Sequence, residues 1–303
     1  MNAAVAALLW LVLTPIGLLV AVFPRRFELW LGPKLGRLFY LVDRRRRRIA
    51  QDNVRRCLPE LGAVEREKLL RANYDHYGVL GLEIFHMFCP IPGHYRRYVE
   101  KNAVVDNLEV WQAAHRLGRG TILVTGHFAN WEMMGVAGLR GLNAMVTGRR
   151  LKPAWLNARI VSARASVNAR TASGKRILPE LIRWVKAGNA AAIILDQYAA
   201  PPSGVPVEFF GATVDTQSVT SLIAQRTGAP ILMLYQRRDE RGLIHDVFER
   251  VELDEARLKD PVACTQELAR RMEAWLRANP TQWLWVHRRF KNVAWPAETA
   301  AKA

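Results

Sequence analysis

Acidic residues and cysteine are scarce in this sequence. Its 303 residues hold 27 Asp and Glu against 44 Lys and Arg, a formal net charge of +17. An excess of that size shapes partners and association rates and says nothing about fold. The partner classes it favours are nucleic acid, an anionic membrane surface and anionic small substrates. The three cysteines, Cys57, Cys89 and Cys264, show neither CxxC pairing nor metal-ligand spacing. An odd, scattered count argues against a disulfide framework and suits a reducing compartment. Internal repeats, low-complexity tracts and long Gly/Ser linkers are also missing, so the chain beyond its N-terminal segment reads as one domain. No HExxH occurs, so the sequence implies no zinc site.

Charge is missing altogether at the N-terminus. Met1 to Phe23, "MNAAVAALLWLVLTPIGLLVAVF", carries no ionisable side chain, and crossing a bilayer core takes roughly 20 residues. Pro15 and Gly17 are tolerated in membrane helices. A cleaved signal peptide would need a basic n-region and a small-residue cleavage site, and both are absent. A buried helix of a soluble protein is the other alternative. Arg25, Arg26, Lys34, Arg37 and Arg44 to Arg48 follow at once. By the positive-inside tendency the segment anchors the protein or dips into one leaflet, with the body in the cytoplasm. Beside an anchor, the run of arginines reads as a polybasic surface for anionic headgroups. As a nucleic-acid patch it would come with a recognisable reading module, and there is none. The expected division is an anchor at 1–24, a body at 25–295 and a tail at 296–303.

The body alternates in character. Residues 62–88 space charged and apolar residues as a helix does. From residue 104 onward, apolar β-type runs ("GTILVTG", "NAMVTG", "AAIILDQ", "APILMLYQRR", "IHDVFERVEL") are separated by helical stretches ("WEMMGVAGLRGL", "PAWLNARIVSARASVN", "LPELIRWVKAG", "TQSVTSLIAQRTG"). "ACTQELARRMEAWLRANP" is the last helix. This order predicts an α/β fold with a mostly parallel central sheet flanked by helices.

One junction carries the chemistry. "TILVTGHFANWEMMG" runs from Thr121 to Gly135 and ends a β-run in Gly126 and His127, with Glu132 five residues on. On one regular helix a five-residue separation puts side chains about 140° apart. The pair therefore makes sense with His127 in the turn and Glu132 in the first turn of a helix that Asn130 caps. There the carboxylate would hold one imidazole nitrogen while the other faces outward, a base and its orienter. No serine or cysteine lies in the motif to be acylated, so an acceptor's own hydroxyl would attack an activated acyl donor with His127 as base. Gly126 lets backbone approach closely, where amides can face an oxyanion or phosphate. Arg149 and Arg150 follow a strand end, where α/β sites gather, and are candidate anion contacts.

The full string "GHFANWE" closely resembles the signature of the bacterial lipid A biosynthesis acyltransferases, the late lauroyl and myristoyl transferases. "RRRRRIAQDNVRRCLPEL", "NARTASGKRIL", "AAIILDQ", "VPVEFFGATVDT" and "NPTQWLWVHRRFK" resemble further stations of that family in order. The resemblance implies transfer of an acyl chain from acyl carrier protein or coenzyme A to a glycolipid at the bacterial inner membrane, with no cofactor or metal. It gives His127 the role of general base and Glu132 that of its partner. It also places a substrate-binding arginine at Arg170 and an Asp-Gln strand end at Asp196 and Gln197. Arg170 is expected to hold a phosphate or carboxylate through its forked guanidinium. Asp196 ends an apolar strand and needs a partner, expected to be Arg170 or another arginine. His287 divides between locking the C-terminal segment and serving the site, while Trp283 and Trp285 alternate with their neighbours as in a strand and read as packing. Two departures, Tyr198-Ala199-Ala200 after Asp-Gln and Thr281 before Gln-Trp, bear on the acceptor. The candidates for it are a lipid A precursor, a phosphatidylinositol mannoside and an aminolipid. A non-catalytic membrane adaptor and a nucleic-acid-binding protein are the readings from other classes.

Overall fold

The computed structural model describes residues 3–148, 150–174, 177–291, 293 and 295. The tail expected at 296–303 lies outside them. Four helices come first: α1 Ala3–Ala21, α2 Arg25–Val42, α3 Arg44–Cys57 and α4 Ala63–Phe85. They are followed by α5 His94–Asn102, β1 Ala103–Val105, α6 Leu108–His115, β2 Thr121–Thr125, β3 Ala144–Thr147, α7 Ala154–Ala165 and β4 Ala169–Ala172. Then come α8 Ile177–Lys186, β5 Ala190–Ile194, β6 Gly204–Phe209, β7 Ala212–Gln217 and α9 Val219–Thr227. The last elements are β8 Ile231–Arg238, β9 Ile244–Val251, α10 Glu255–Lys259 and α11 Pro261–Ala278.

Seven strands make one sheet in the order β1-β9-β8-β2-β5-β3-β4, and β6 and β7 form a separate hairpin. Every pairing in the sheet is parallel except β8 with β9. The expected α/β architecture is thus what the chain adopts. All five residues of β2 are buried, as a central strand covered on both faces requires, which is why "TILVT" shows no alternation. Ile122 and Val124 pack with Leu181, Ile223, Leu268 and Met272 from α8, α9 and α11. Leu123 packs on the other face with Trp111 and Ala114 of α6.

The helical N-terminal part is fastened by close backbone contact. A methyl group added at Gly78 of α4 would lie 1.8 Å from the carbonyl oxygen of Gly32 in α2, so only glycine permits this crossing. α1 is long and apolar enough to cross a membrane by length and composition. Leu8, Trp10, Leu11 and Leu19 along it, and Val22 just past its end, are exposed.

Two local expectations change. "WEMMGVAGLRGL" folds as short 3-10 turns, Trp131–Val136 and Gly138–Arg140, in place of an α-helix. Gly135 and Gly138 press against Val167, where added methyl groups would lie 2.2 and 2.0 Å from its atoms. Glycine also lowers helix propensity by about 1 kcal/mol per residue. Trp283 and Trp285 do not lie in a regular strand. They follow the turn Pro280–Gln282, and one isolated bridge joins Trp283 to Phe128. Both are fully buried, as their reading as packing residues expected.

Candidate active site

Parallel pairing brings two loop residues side by side. In the register of β2 and β5, Thr125 lies opposite Ile194. His127 and Asp196 each stand two residues past those positions. Asp196 Oδ1 is 2.9 Å from His127 Nδ1, and Asp196 Oδ2 accepts the His127 backbone N–H at 2.7 Å. The Trp283 indole donates to Oδ2 as well, at 2.8 Å. Burial alone would raise the Asp196 pKa, but the imidazole and these donors outweigh it and bring it down to about 2. Burial likewise works against a charged His127, yet the Asp196 charge and hydrogen bond, with a smaller contribution from Glu132, leave its pKa raised. The ring is therefore fixed at Nδ1. Nε2 is left outward, 3.4 Å from the Gln197 side-chain nitrogen.

Gly126 serves this pair. A methyl group there would lie 3.0 Å from Asp196 Oδ2 and 2.9 Å from the Phe128 ring, so the glycine leaves room for the carboxylate. Ala129 holds φ at +38°, an uncommon conformation for a residue with a side chain. Its N–H donates to the Gln282 carbonyl and its own carbonyl meets His76 Nε2, at 2.9 and 3.0 Å. Asn130 caps the following turn by accepting from the Glu132 N–H, as expected.

Glu132 itself is engaged elsewhere. Its two carboxylate oxygens take the fork of Arg164 at 2.7 and 2.8 Å, and no hydrogen bond joins it to His127. The partner of the imidazole is Asp196, where Glu132 was expected. Adjacent parallel strands set their C-terminal loops together, whereas Glu132 lies on a turn carried toward α7. Arg164, a residue sequence reasoning missed, keeps a raised pKa against its burial through this carboxylate. Thr171 on β4 adds a 3.4 Å contact to its guanidinium.

Arg170 differs most from expectation. Strand alternation turns it to the sheet face opposite Thr171. There it pairs with Glu180 at 3.5 Å and lies over the Trp184 ring, both on α8. Neither it nor any other arginine pairs with Asp196 among the described residues. Arg149 lies outside those residues, and Arg150 is exposed with a 3.2 Å contact to Ser173. His287 is tied through its carbonyl to Asn53, which also holds the Trp285 carbonyl. Burial lowers the pKa of its ring, with the Asp196 charge opposing. Arg289, almost wholly buried, donates to the carbonyls of Gln197 and Asp215 and to the Thr216 hydroxyl. It thereby clamps the Asp-Gln loop.

Beside the Glu132–Arg164 pair an apolar cavity of about 70 Å³ opens onto the sheet, lined by Trp131, Gly135, Leu123, Ala192 and Leu234. Trp131, in the lining of this recess, stands edge-on to the His127 ring with centroids 4.8 Å apart, so one side chain separates the histidine from an apolar cavity.

Comparison with known proteins agrees in kind. The family model for bacterial lipid A biosynthesis acyltransferase matches residues 1–292. The chain belongs to that family. It is an acyltransferase. The Escherichia coli K12 lipid A biosynthesis lauroyltransferase is 26% identical to this acyltransferase over 294 residues, 93% of this chain and 92% of the relative. The palmitoleoyltransferase of the same organism is 25% identical over 264 residues, 86% and 84% of the two chains. A phosphatidylinositol mannoside acyltransferase of Mycobacterium tuberculosis H37Rv is 26% identical over 235 residues, 76% of the acyltransferase and 73% of the relative.

Proposed function

We propose that this acyltransferase moves a fatty acyl chain from acyl carrier protein or coenzyme A to a hydroxyl of a glycolipid acceptor, such as a lipid A precursor. It would work at the inner membrane with its body on the cytoplasmic side. The observation that carries the reading is His127, held at Nδ1 by Asp196 with Nε2 turned outward and Trp131 between its ring and an apolar cavity. The acceptor hydroxyl approaches Nε2 and gives up its proton as its oxygen attacks the thioester carbonyl. The tetrahedral oxyanion collapses, the carbon–sulfur bond breaks, and the imidazolium returns the proton to the departing thiolate. Asp196, and Glu132 through space, stabilise the imidazolium formed midway. The apolar cavity takes the start of the acyl chain, and Gly126 keeps Asp196 in place. The exposed apolar α1 anchors the protein and the basic α3 meets anionic headgroups.

The test is His127→Ala in purified, folded protein. Acyl transfer is expected to fall by roughly 10²–10⁴, the usual value of general-base assistance, and wild-type turnover would refute the mechanism. Lipid mass spectrometry of a deletion strain names the acceptor. A missing chain on lipid A supports a lipid A precursor, and one on a phosphatidylinositol mannoside or aminolipid replaces the acceptor while keeping the chemistry.

A further inference from the structure

Where α1 ends, the chain folds a second recess, of about 200 Å³, with Phe23 and Pro24 in its wall. It shares no lining residue with the cavity beside Glu132. One carboxylate lines it, Glu28, which is almost wholly buried and already accepts three hydrogen bonds. These come from Arg25 at 2.7 Å, Tyr98 at 2.6 Å and His86 Nε2 at 2.9 Å. His86 Nδ1 is in turn 2.8 Å from His94 Nε2. If His86 donates its Nε2–H to Glu28, its Nδ1 accepts from His94 Nε2–H, and this chain of hydrogen bonds fixes both rings in the recess wall.

The cations of this recess are not balanced in the same way. His94, Arg97 and Lys101 stand at i, i+3 and i+7 on α5, so they share one side of that helix. Arg97 and Lys101 are exposed and form no ion pair among the described residues. Arg25, also in the lining, donates through both terminal nitrogens to Glu28, Glu83, Tyr98 and the Gly242 carbonyl, while its Nε–H is buried without an acceptor. The recess therefore combines two unpaired cations with an orphaned donor. That set suits a phosphate.

We propose that this recess binds the phosphate of an anionic bilayer phospholipid, held between Arg97 and Lys101 with His94 beside them. The inference rests on α1 being the membrane anchor, since a helix that leaves the bilayer at Phe23 sets the recess at headgroup depth. The volume fits that occupant: sites for whole drug-sized molecules run to about 300–1,000 Å³, and this one takes a headgroup whose acyl chains remain outside. A phosphate on the acceptor glycolipid, or free phosphate, offers the same chemistry and is separated by experiment.

Full-length protein in nonionic detergent is titrated with dihexanoyl phosphatidylglycerol, dihexanoyl phosphatidylcholine and inorganic phosphate, followed by calorimetry. The phosphatidylglycerol is expected to bind in preference to the other two. Each basic side chain near an anionic surface contributes a factor of about five, so Arg97→Gln with Lys101→Gln should weaken that binding about 30-fold. Transfer to a detergent-dispersed acceptor should stay at the wild-type rate, and Arg44→Gln with Arg45→Gln on α3 should leave the titration unchanged. Phosphatidylglycerol binding unaffected by the double change on α5, or matched by inorganic phosphate, overturns the proposal. A raised acceptor KM in that variant with phosphatidylglycerol binding intact also overturns it, by giving the cations to the acceptor. Failure of α1 as an anchor has a different signature: release of the protein by carbonate wash with the titration intact.

Discussion

Replacing Asp196 with Asn keeps the shape of the carboxyl group beside His127 and removes its charge. In a histidine–aspartate pair of this kind the change costs about 10⁴ in kcat, because the wrong tautomer is held and the imidazolium loses its counter-charge. A loss of that order is expected here, with KM for both substrates little changed. The pH profile adds a second reading. The His127 pKa is raised in the native protein, burial being outweighed by Asp196. The acid limb of kcat/KM should therefore lie above the ordinary imidazole value of about 6.5. In Asp196→Asn burial is left largely unopposed, and the limb should move to lower pH. Stability carries the opposite sign. A raised histidine contributes stability that is complete below its unfolded pKa and is lost as pH rises through the folded one. The pair is thus tightest where the enzyme is protonated and idle. An unchanged limb in the variant, measured by steady-state kinetics between acid and neutral pH, would show that another group is the base.

Two arginines on neighbouring elements test the placement of the site. Arg170 on β4 faces α8, so Arg170→Ala should leave KM and kcat near wild type for donor and acceptor. Arg164 on α7 neutralises a mostly buried Glu132, and Arg164→Ala leaves that carboxylate without its fork. Removing one member of such a pair destabilises by about 3 kcal/mol, which chemical unfolding would register, with acyl transfer falling as the motif loosens. Equal effects of the two substitutions would contradict the strand alternation. The elements also mark how far the sequence could be read. β2, β3, β5, β8 and β9, with α4, α7, α8, α9 and α11, were legible because their apolar runs and helical spacings are long. The hairpin β6–β7 carries Pro206, Glu208 and Asp215 within its strands and the short β4 carries Arg170, so neither reads as an apolar run. The pattern of α2 is interrupted by Gly32, Pro33 and Gly36. The sequence singles out His127, Gly126 and Asp196. It does not show their partnership, since separation along the chain says nothing about strand order, and only the adjacency of β2 and β5 joins residues 127 and 196. Arg164 had no local signal beyond its place in a helix rich in alanine.

Across the whole molecule, one side chain joins the two ends of the proposed activity. Glu83 on α4 is almost wholly buried and accepts from Arg25, just after α1, and from Arg238 at the end of β8. It also accepts from Asn130 in the turn that follows His127. Burial opposes its charge, and the two arginines overcome this and lower its pKa to about 2. Its share of stability is therefore present above the ordinary carboxylate range and is lost as pH falls toward that value. Deleting residues 1–23 should release the protein from salt- and carbonate-washed membranes with thermal unfolding close to that of the full chain. Adding Arg25→Gln to that deletion should lower the unfolding temperature and the transfer rate together, because Glu83 is left with one cation. A melting point indifferent to Arg25 would sever the link.

The same carboxylate fixes a seam in the protein. What precedes Pro24 meets the body through Gly17, where an added methyl group would lie 2.6 Å from the Phe88 backbone, and through the Ala6 carbonyl, which accepts from the Trp155 indole. A foreign hydrophobic helix spliced on there therefore needs a glycine at the same place. One residue further the splice would remove Arg25, which reaches the turn at Asn130 through Glu83, so position 25 joins the proposed anchor to the proposed site. A chimaera that keeps arginine at that position should work with a borrowed leg, and one that begins a single residue later should not.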